Sequence, residues 1–229
     1  MSELAAPQPA AELLLLNASS YIVLDRNIQL DQGALVGFSF RTCSAGGDLL
    51  RQVDATGSKS FILNFSAAGG LRLTLTDGVD QRVLESGSGL ADGAWHTVRL
   101  GVSPSRTTVC LSVDAVGPDT ECAEPRTGPA VVTPVSQNVV ARMEAADSLL
   151  AMLDFASSST SGLRLGGGGL VGCVREGPGV RLGGLADSSA IMWGPCLLPQ
   201  TCSGKTIICI VFVLVATEFP PSPTVFFSL

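Results

Sequence analysis

What most constrains this chain is a rhythm of short, apolar-alternating runs, each cut off by a glycine, proline or aspartate turn. In Ala34-Leu-Val-Gly-Phe-Ser-Phe-Arg41, residues Val36, Phe38 and Phe40 recur at a period of two, which places them on one face of a strand. Gly46-Gly47 turns the chain into Leu49–Gln52, and Asp54-Ala-Thr-Gly57 turns it again into Ser60–Phe65. Gly69-Gly70 leads to Leu71–Thr76, and Asp77-Gly78 is a hairpin signal of the kind whose turn needs positive φ. Tyr21–Leu24, Gln81–Glu85, Trp95–Val102 and Thr107–Val113 complete the series. Strands at roughly 8–12-residue spacing with turns between them build a sandwich or a barrel. The fold class is therefore all-β, an antiparallel β-sandwich or barrel. Aromatic residues make up only 5% of the chain, so its core must rest on Val, Leu and Ile.

Residues 123–161 break this rhythm. Pro125, Pro129 and Pro134 suit an extended loop, and Ala141–Leu153 has a composition compatible with a short helix. Met143, Leu150 and Leu153 could share a helical face, although Leu149–Phe155 reads equally well as a strand. The segment is expected to be a long insertion on the sandwich. Ser157–Ser161 forms a polar link back to the body.

Seven cysteines in 229 residues, with a single histidine and no Cys-x-x-Cys, point to disulfides in an oxidising compartment and away from zinc. Cys110 and Cys122 bracket the turn Gly117-Pro118-Asp119, a spacing that suits a local hairpin bridge. Two Asn-x-Ser triplets, Asn17-Ala-Ser19 and Asn64-Phe-Ser66, are candidate N-glycan acceptors in the same compartment. Asn17 precedes a strand, and Asn64 alternates with Phe61, Leu63 and Phe65, so that it points outward. A net charge of −6 gives no electrostatic reason to expect a nucleic-acid partner.

Two motifs carry the most specific signal. Asp92-Gly-Ala-Trp95-His96-Thr97-Val98-Arg-Leu100 is a turn followed by a strand. Leu163-Arg-Leu-Gly-Gly-Gly-Gly-Leu-Val-Gly-Cys173-Val-Arg is a pair of short strands parted by glycines. Together and in this order they resemble the laminin G-like domain over roughly residues 21–196. The resemblance implies a jelly-roll sandwich and a disulfide from Cys173 to Cys196, just past the final strand. It also implies the following organisation: a flexible N-terminal segment 1–19, the laminin G-like domain 20–197, and residues 198–205 as the start of a truncated, cysteine-rich EGF-like module or a linker. Cys202 would belong to that module, leaving Cys43, Cys202 and Cys209 without an evident arrangement.

The function implied is a non-catalytic extracellular spacer and binding module. Ser39-Phe-Arg41-Thr-Cys43 with Leu49-Leu-Arg-Gln52, and the domain ending Gly-Pro-Cys196 ahead of Cys202, are similar to modules of crumbs-type apical polarity proteins. That resemblance implies a membrane-anchored parent, an apical cell-surface setting, and a protein or glycan ligand outside the cell. The alternative is a lectin-like, glycan-binding sandwich of the neurexin or agrin type. Its rim loops would need convergent Asp, Asn and aromatic residues, whereas those of this chain carry Gly, Ala and Ser.

An enzyme is disfavoured. Any Ser-His-Asp or Cys-His site must use His96, whose flanks Trp95 and Thr97 belong to the strand signature. Trp95 is expected to pack inside the sandwich and His96 to serve no chemistry. No metal or other cofactor is expected either. Some laminin G-like domains bind calcium with an Asp just before a strand start equivalent to Phe61-Ile62, where this chain has Lys59-Ser60. Asp54 could substitute only in part, because calcium wants several oxygen ligands.

The ends stand apart. Met1–Leu16 lacks the basic start and unbroken apolar run of a secretory signal. The chain therefore reads as a fragment or partial isoform of a longer modular protein, or as a mis-started gene product. Thr206–Ala216 is an apolar run about half as long as a membrane-spanning helix requires, closed off by Pro220, Pro221 and Pro223. Residues 206–229 are expected to be an aberrant tail from an intron or alternative exon that adds nothing to the domain. An interfacial or tail-anchor segment and a genuine strand are the other readings.

Overall fold

The computed structural model describes residues 10–24, 35–78, 80–103, 108–115, 140–144, 163–178, 180–182, 185–186, 190–198 and 202. Over these the chain is a two-layered antiparallel sandwich with no helix. The first sheet orders its strands β10 (Val140–Glu144), β9 (Thr108–Val113), β8 (His96–Val102), β3 (Leu35–Thr42), β12 (Gly172–Arg175), β1 (Glu12–Leu15) and β14 (Ile191–Trp193). The second orders β13 (Leu185–Ala186), β2 (Tyr21–Val23), β11 (Arg164–Gly166), β4 (Asp48–Val53), β5 (Lys59–Phe65), β6 (Leu71–Asp77) and β7 (Asp80–Ser86).

Alternation does the folding work. In β6, Leu71, Leu73 and Leu75 are fully buried while Arg72 is exposed, and β5 answers with Phe61 and Leu63. From the first sheet, Val36, Phe38, Phe40, Val98, Leu100 and Val102 meet them to form one continuous core. Each such side chain stabilises by about 1.5–3 kcal/mol on full burial. The Asp77-Gly78 turn closes the β6–β7 hairpin with Gly78 at φ 58°, as its sequence predicts.

Four expectations are corrected, the last of them, the packing of Trp95, at the site below. The N-terminal segment 1–19 contains a strand: β1 lies between β12 and β14, with Leu13 and Leu15 wholly buried. Its Leu-Leu-Leu run has no alternation, because Leu14 is buried too, in a second cluster on the outer face of the first sheet. The insertion's helix-compatible start is instead strand β10, whose Val140–Glu144 pairs antiparallel with β9. A strand edge in need of hydrogen-bond partners outweighs weak local helix preference at that point. Leu149–Phe155 and the tail 206–229 lie outside the described residues. The third correction, to the cysteine pairing, belongs to the site below.

Candidate functional site

The two sequence motifs converge on one end of the sandwich, on either side of β3. His96 at the start of β8 pairs with Phe40, while Gly172 and Cys173 at the start of β12 pair with Thr42 and Arg41. Register then decides which way each side chain points. Leu13, Val174, Phe40 and His96 form one row facing the core, and Met192, Leu14, Cys173 and Arg41 form the neighbouring row on the outer face. Gly172 is required by this close approach, since a Cβ there would lie 2.6 Å from the Arg41 carbonyl oxygen.

His96 is the buried polar member of the inner row. Its ring lies 5.7 Å from that of Phe40. Nδ1 is 2.7 Å from Asp114 Oδ2 and Nε2 is 3.0 Å from Asp92 Oδ1. Both nitrogens face carboxylate oxygens, and only the doubly protonated imidazolium can donate to both. Burial opposes that charge, but the hydrogen bonds and charges of Asp114 and Asp92 outweigh it and hold the pKa above the ordinary histidine value. The Asp92 carboxyl is partly desolvated, yet the Ala94 backbone N–H and His96 hold it below the usual carboxylate range.

Asp114 adopts φ 53°, a left-handed conformation that aspartate tolerates better than most residues. This lets Oδ1 accept the Thr97 N–H at 2.7 Å while Asp114 N donates to Thr97 O at 2.8 Å. A ring capped at both nitrogens by carboxylates has no nitrogen left to activate a nucleophile. The arrangement joins the turn before β8 to the end of β9.

Trp95 packs where the sequence reading did not place it. It is half-buried on the outer face of the first sheet, in the cluster of Leu14, Leu16, Cys173, Met192, Cys196 and Leu198. Strand alternation sends His96 inward, so its predecessor must point out. The Arg175 guanidinium lies over the indole at 4.1 Å and is held by Glu12, whose other oxygen accepts the Cys196 N–H at 3.0 Å.

Cys173 and Cys196 are disulfide-bonded with Cα atoms 5.7 Å apart. Cys110 is also disulfide-bonded, and Cys122, its expected partner, lies outside the described residues, as does Cys209. Cys43 and Cys202, left unassigned above, form a second cross-link with Cα atoms 5.5 Å apart, so Cys202 closes this domain and does not open another. Buried Arg41 explains why the chain returns there. Its Nε donates to Gly93 O and its Nη2 to Leu198 O, each at 2.7 Å, and Cys202 N donates to Asp92 O at 3.2 Å. The motif turn, the end of β3, Leu198 and Cys202 are thereby locked together. A 159-residue separation leaves no local sequence signal for this pair.

The same end carries the glycine loop and both sequons. Gly169 N donates to Ala18 O and Asp48 N to Gly167 O, so the loop 167–170 is tied backbone to backbone to the β1–β2 turn and to the start of β4. Asn17 is exposed in the β1–β2 turn. Its Oδ1 accepts from Ser19 N (3.0 Å), Ser19 Oγ (2.8 Å) and Ser20 Oγ (3.0 Å). Asn64 is half-buried within β5, paired to Asp48 on one side and Arg72 on the other.

At the opposite end, Asp54 is turned into its own loop. Its carboxylate accepts from Thr56 Oγ1, Ser58 Oγ and Lys59 N, and these bonds, led by Thr56, lower its pKa to about 2. Lys59 Nζ sits 3.9 Å from Asp77. Among the described residues, no group of three His, Cys, Asp or Glu is placed to hold a metal ion.

This geometry has known counterparts. The chain is similar to the mouse laminin α1 chain domains LG4-5, at 14% identity and a TM-score of 0.53, over 83% of this chain and 48% of that one. It is likewise similar to the LG1-3 region of the laminin α2 chain, at 13% identity and a TM-score of 0.55, over 82% of this chain and 35% of that one. It thus spans less than half the length of either, and at such identities the likeness speaks for the fold alone. The family profile of the laminin G domain, however, matches residues 40–176, more than half of the sequence and inclusive of both converging motifs. This chain belongs to the laminin G domain family.

Proposed function

We propose that the chain is a non-catalytic binding and spacer module in the ectodomain of a cell-polarity or adhesion protein of the crumbs type. Laminin G domains are extracellular binding modules, and the two described disulfide pairs suit that setting. The single observation that carries the non-catalytic reading is His96, the chain's sole histidine, whose ring is committed to Asp92 and Asp114. What supports the crumbs-type reading is narrower. It rests on Ser39–Cys43 and Leu49–Gln52, since Cys202 is used within this domain. Fold does not name a ligand, so the partner, an extracellular protein or glycan, is left to experiment.

The test is saturable binding of the oxidised full chain to polarised epithelial cells, apical and basal surfaces compared, alongside a glycan array with and without calcium. Apical binding that survives glycosidase treatment supports a protein partner. Array hits, or binding abolished by glycosidase, would favour a lectin-like module. Absence of saturable binding to any surface would overturn the proposal.

A further inference from the structure

We propose that Asn17 is the N-glycan acceptor of this domain and that Asn64 is left unmodified, although both stand in Asn-x-Ser triplets. The inference rests on the extracellular reading above and goes beyond it, because the strand order separates two sites that look alike in sequence.

Glycan transfer acts on backbone not yet locked in a ladder, so what matters is when each triplet acquires its partners. Asn64 lies within β5, which pairs with β4, already synthesised, and with β6, which begins at Leu71. The connection from Ser66 to Gly70 is closed by the backbone bonds Ser66 N to Gly70 O and Gly69 N to Ser66 O. Such hairpins close in about 1–10 μs. Every piece needed to bury the Asn64 backbone is therefore present soon after Asn64 itself.

Asn17 follows β1, whose partners are β12 (Gly172–Arg175) and β14 (Ile191–Trp193). Those residues are made roughly 150 positions later, which at about 5–20 residues per second means on the order of 10–30 s. Through that interval the Asn17 triplet has no strand to join.

The folded state points the same way. Asn17 is exposed, with its Oδ1 occupied by Ser19 and Ser20, so Nδ2 is the part of the carboxamide available to a sugar. The Asn64 carboxamide sits near the end of β5 between β4 and β6, with Oδ1 enclosed and accepting no hydrogen bond among the described residues. A glycan at Asn17 projects from the open β1–β2 turn, whereas one at Asn64 would have to rise from a strand paired on both sides. In the transfer step, Asn17 Nδ2 attacks C1 of the reducing-end sugar of a polyprenyl-diphosphate oligosaccharide. The C1–O bond breaks as the Nδ2–C1 bond forms, Nδ2 loses one proton, and the polyprenyl diphosphate leaves with the bonding pair.

The experiment directs the full chain into the secretory pathway of a mammalian host with a cleavable leader and maps both asparagines by enzymatic deglycosylation in heavy-oxygen water. Asn17 should carry the label at several-fold the level of Asn64, and Asn17→Gln and Ser19→Ala should each remove the mobility shift that Asn64→Gln leaves in place. Equal or greater occupancy at Asn64 would overturn the proposal. So would an unmodified Asn17 in chains whose Cys173–Cys196 bond has formed. Because the leader imposes the compartment, such a result leaves the extracellular reading untouched. That reading fails separately, if the natively expressed chain has reduced cysteines.

Discussion

Breaking the Cys43–Cys202 bond should destabilise this domain more than breaking Cys173–Cys196, even though Cys202 sits at the margin of the described fold. The two bonds close loops of very different size, with sequence separations of 159 and 23. On the chain-entropy account, these separations correspond to about 17 and 11 cal/mol/K removed from the unfolded ensemble, or about 5 and 3 kcal/mol at 25 °C. For a chain of this length each kcal/mol moves the melting temperature by about 2–4 °C, giving drops of roughly 10–20 °C and 6–12 °C. The comparison pairs Cys43→Ala/Cys202→Ala with Cys173→Ala/Cys196→Ala, because serine would bury a hydroxyl at Cys173, which is 1% exposed. Scanning calorimetry reads the shifts, and non-reducing peptide mapping checks that the other bonds remain. A Cys43/Cys202 variant melting within about 3 °C of the parent would refute the reasoning. Leu198 and Cys202 would then be passengers that can peel away from Arg41 and Asp92 before the core unfolds.

Stability should also fall as pH rises through the raised folded pKa of His96. The folded pKa of His96 lies above its unfolded value of 6.5, so its contribution is fully present below 6.5 and is lost as pH climbs through the folded value. Asp92 acts with opposite sign: its contribution is present above 3.8 and lost as pH falls through its lowered folded pKa. Urea melts across pH 4–9 should therefore peak between those two limits, and His96→Gln should abolish the alkaline decline. Trp95→Ala should cost about 2 kcal/mol, less than the 3–5 typical of a fully buried ring, because the indole is half-exposed on the outer face. A larger loss by chemical denaturation would mean that Trp95 anchors the disulfide cluster as a whole. Carboxyl carbon NMR should place the Asp54 midpoint at about 2, and Thr56→Val should raise it, since the Thr56 hydroxyl is the leading cause of the shift.

The sequence alone determined the run of strands from β4 to β7 in the second sheet, their turns and the family. Period-two alternation in residues 60–76 and the Asp77-Gly78 hairpin depend only on neighbours in the chain, and the structure reproduces both. The same local logic could not see β1, whose Leu13–Leu15 is buried on both faces and so carries no alternation to read. Nor could it see that Trp95 and His96 exchange sides, because which face is the core depends on the pairing of β8 with β3. Cys43 and Cys202 meet only because β3 and the returning chain end at the same rim, beside the Arg41 that binds both Gly93 and Leu198. Local periodicity is short-ranged and survives in the sequence. Pairing between strands more than a hundred residues apart is settled by the packing of both sheets at once, and only the tertiary structure holds that information.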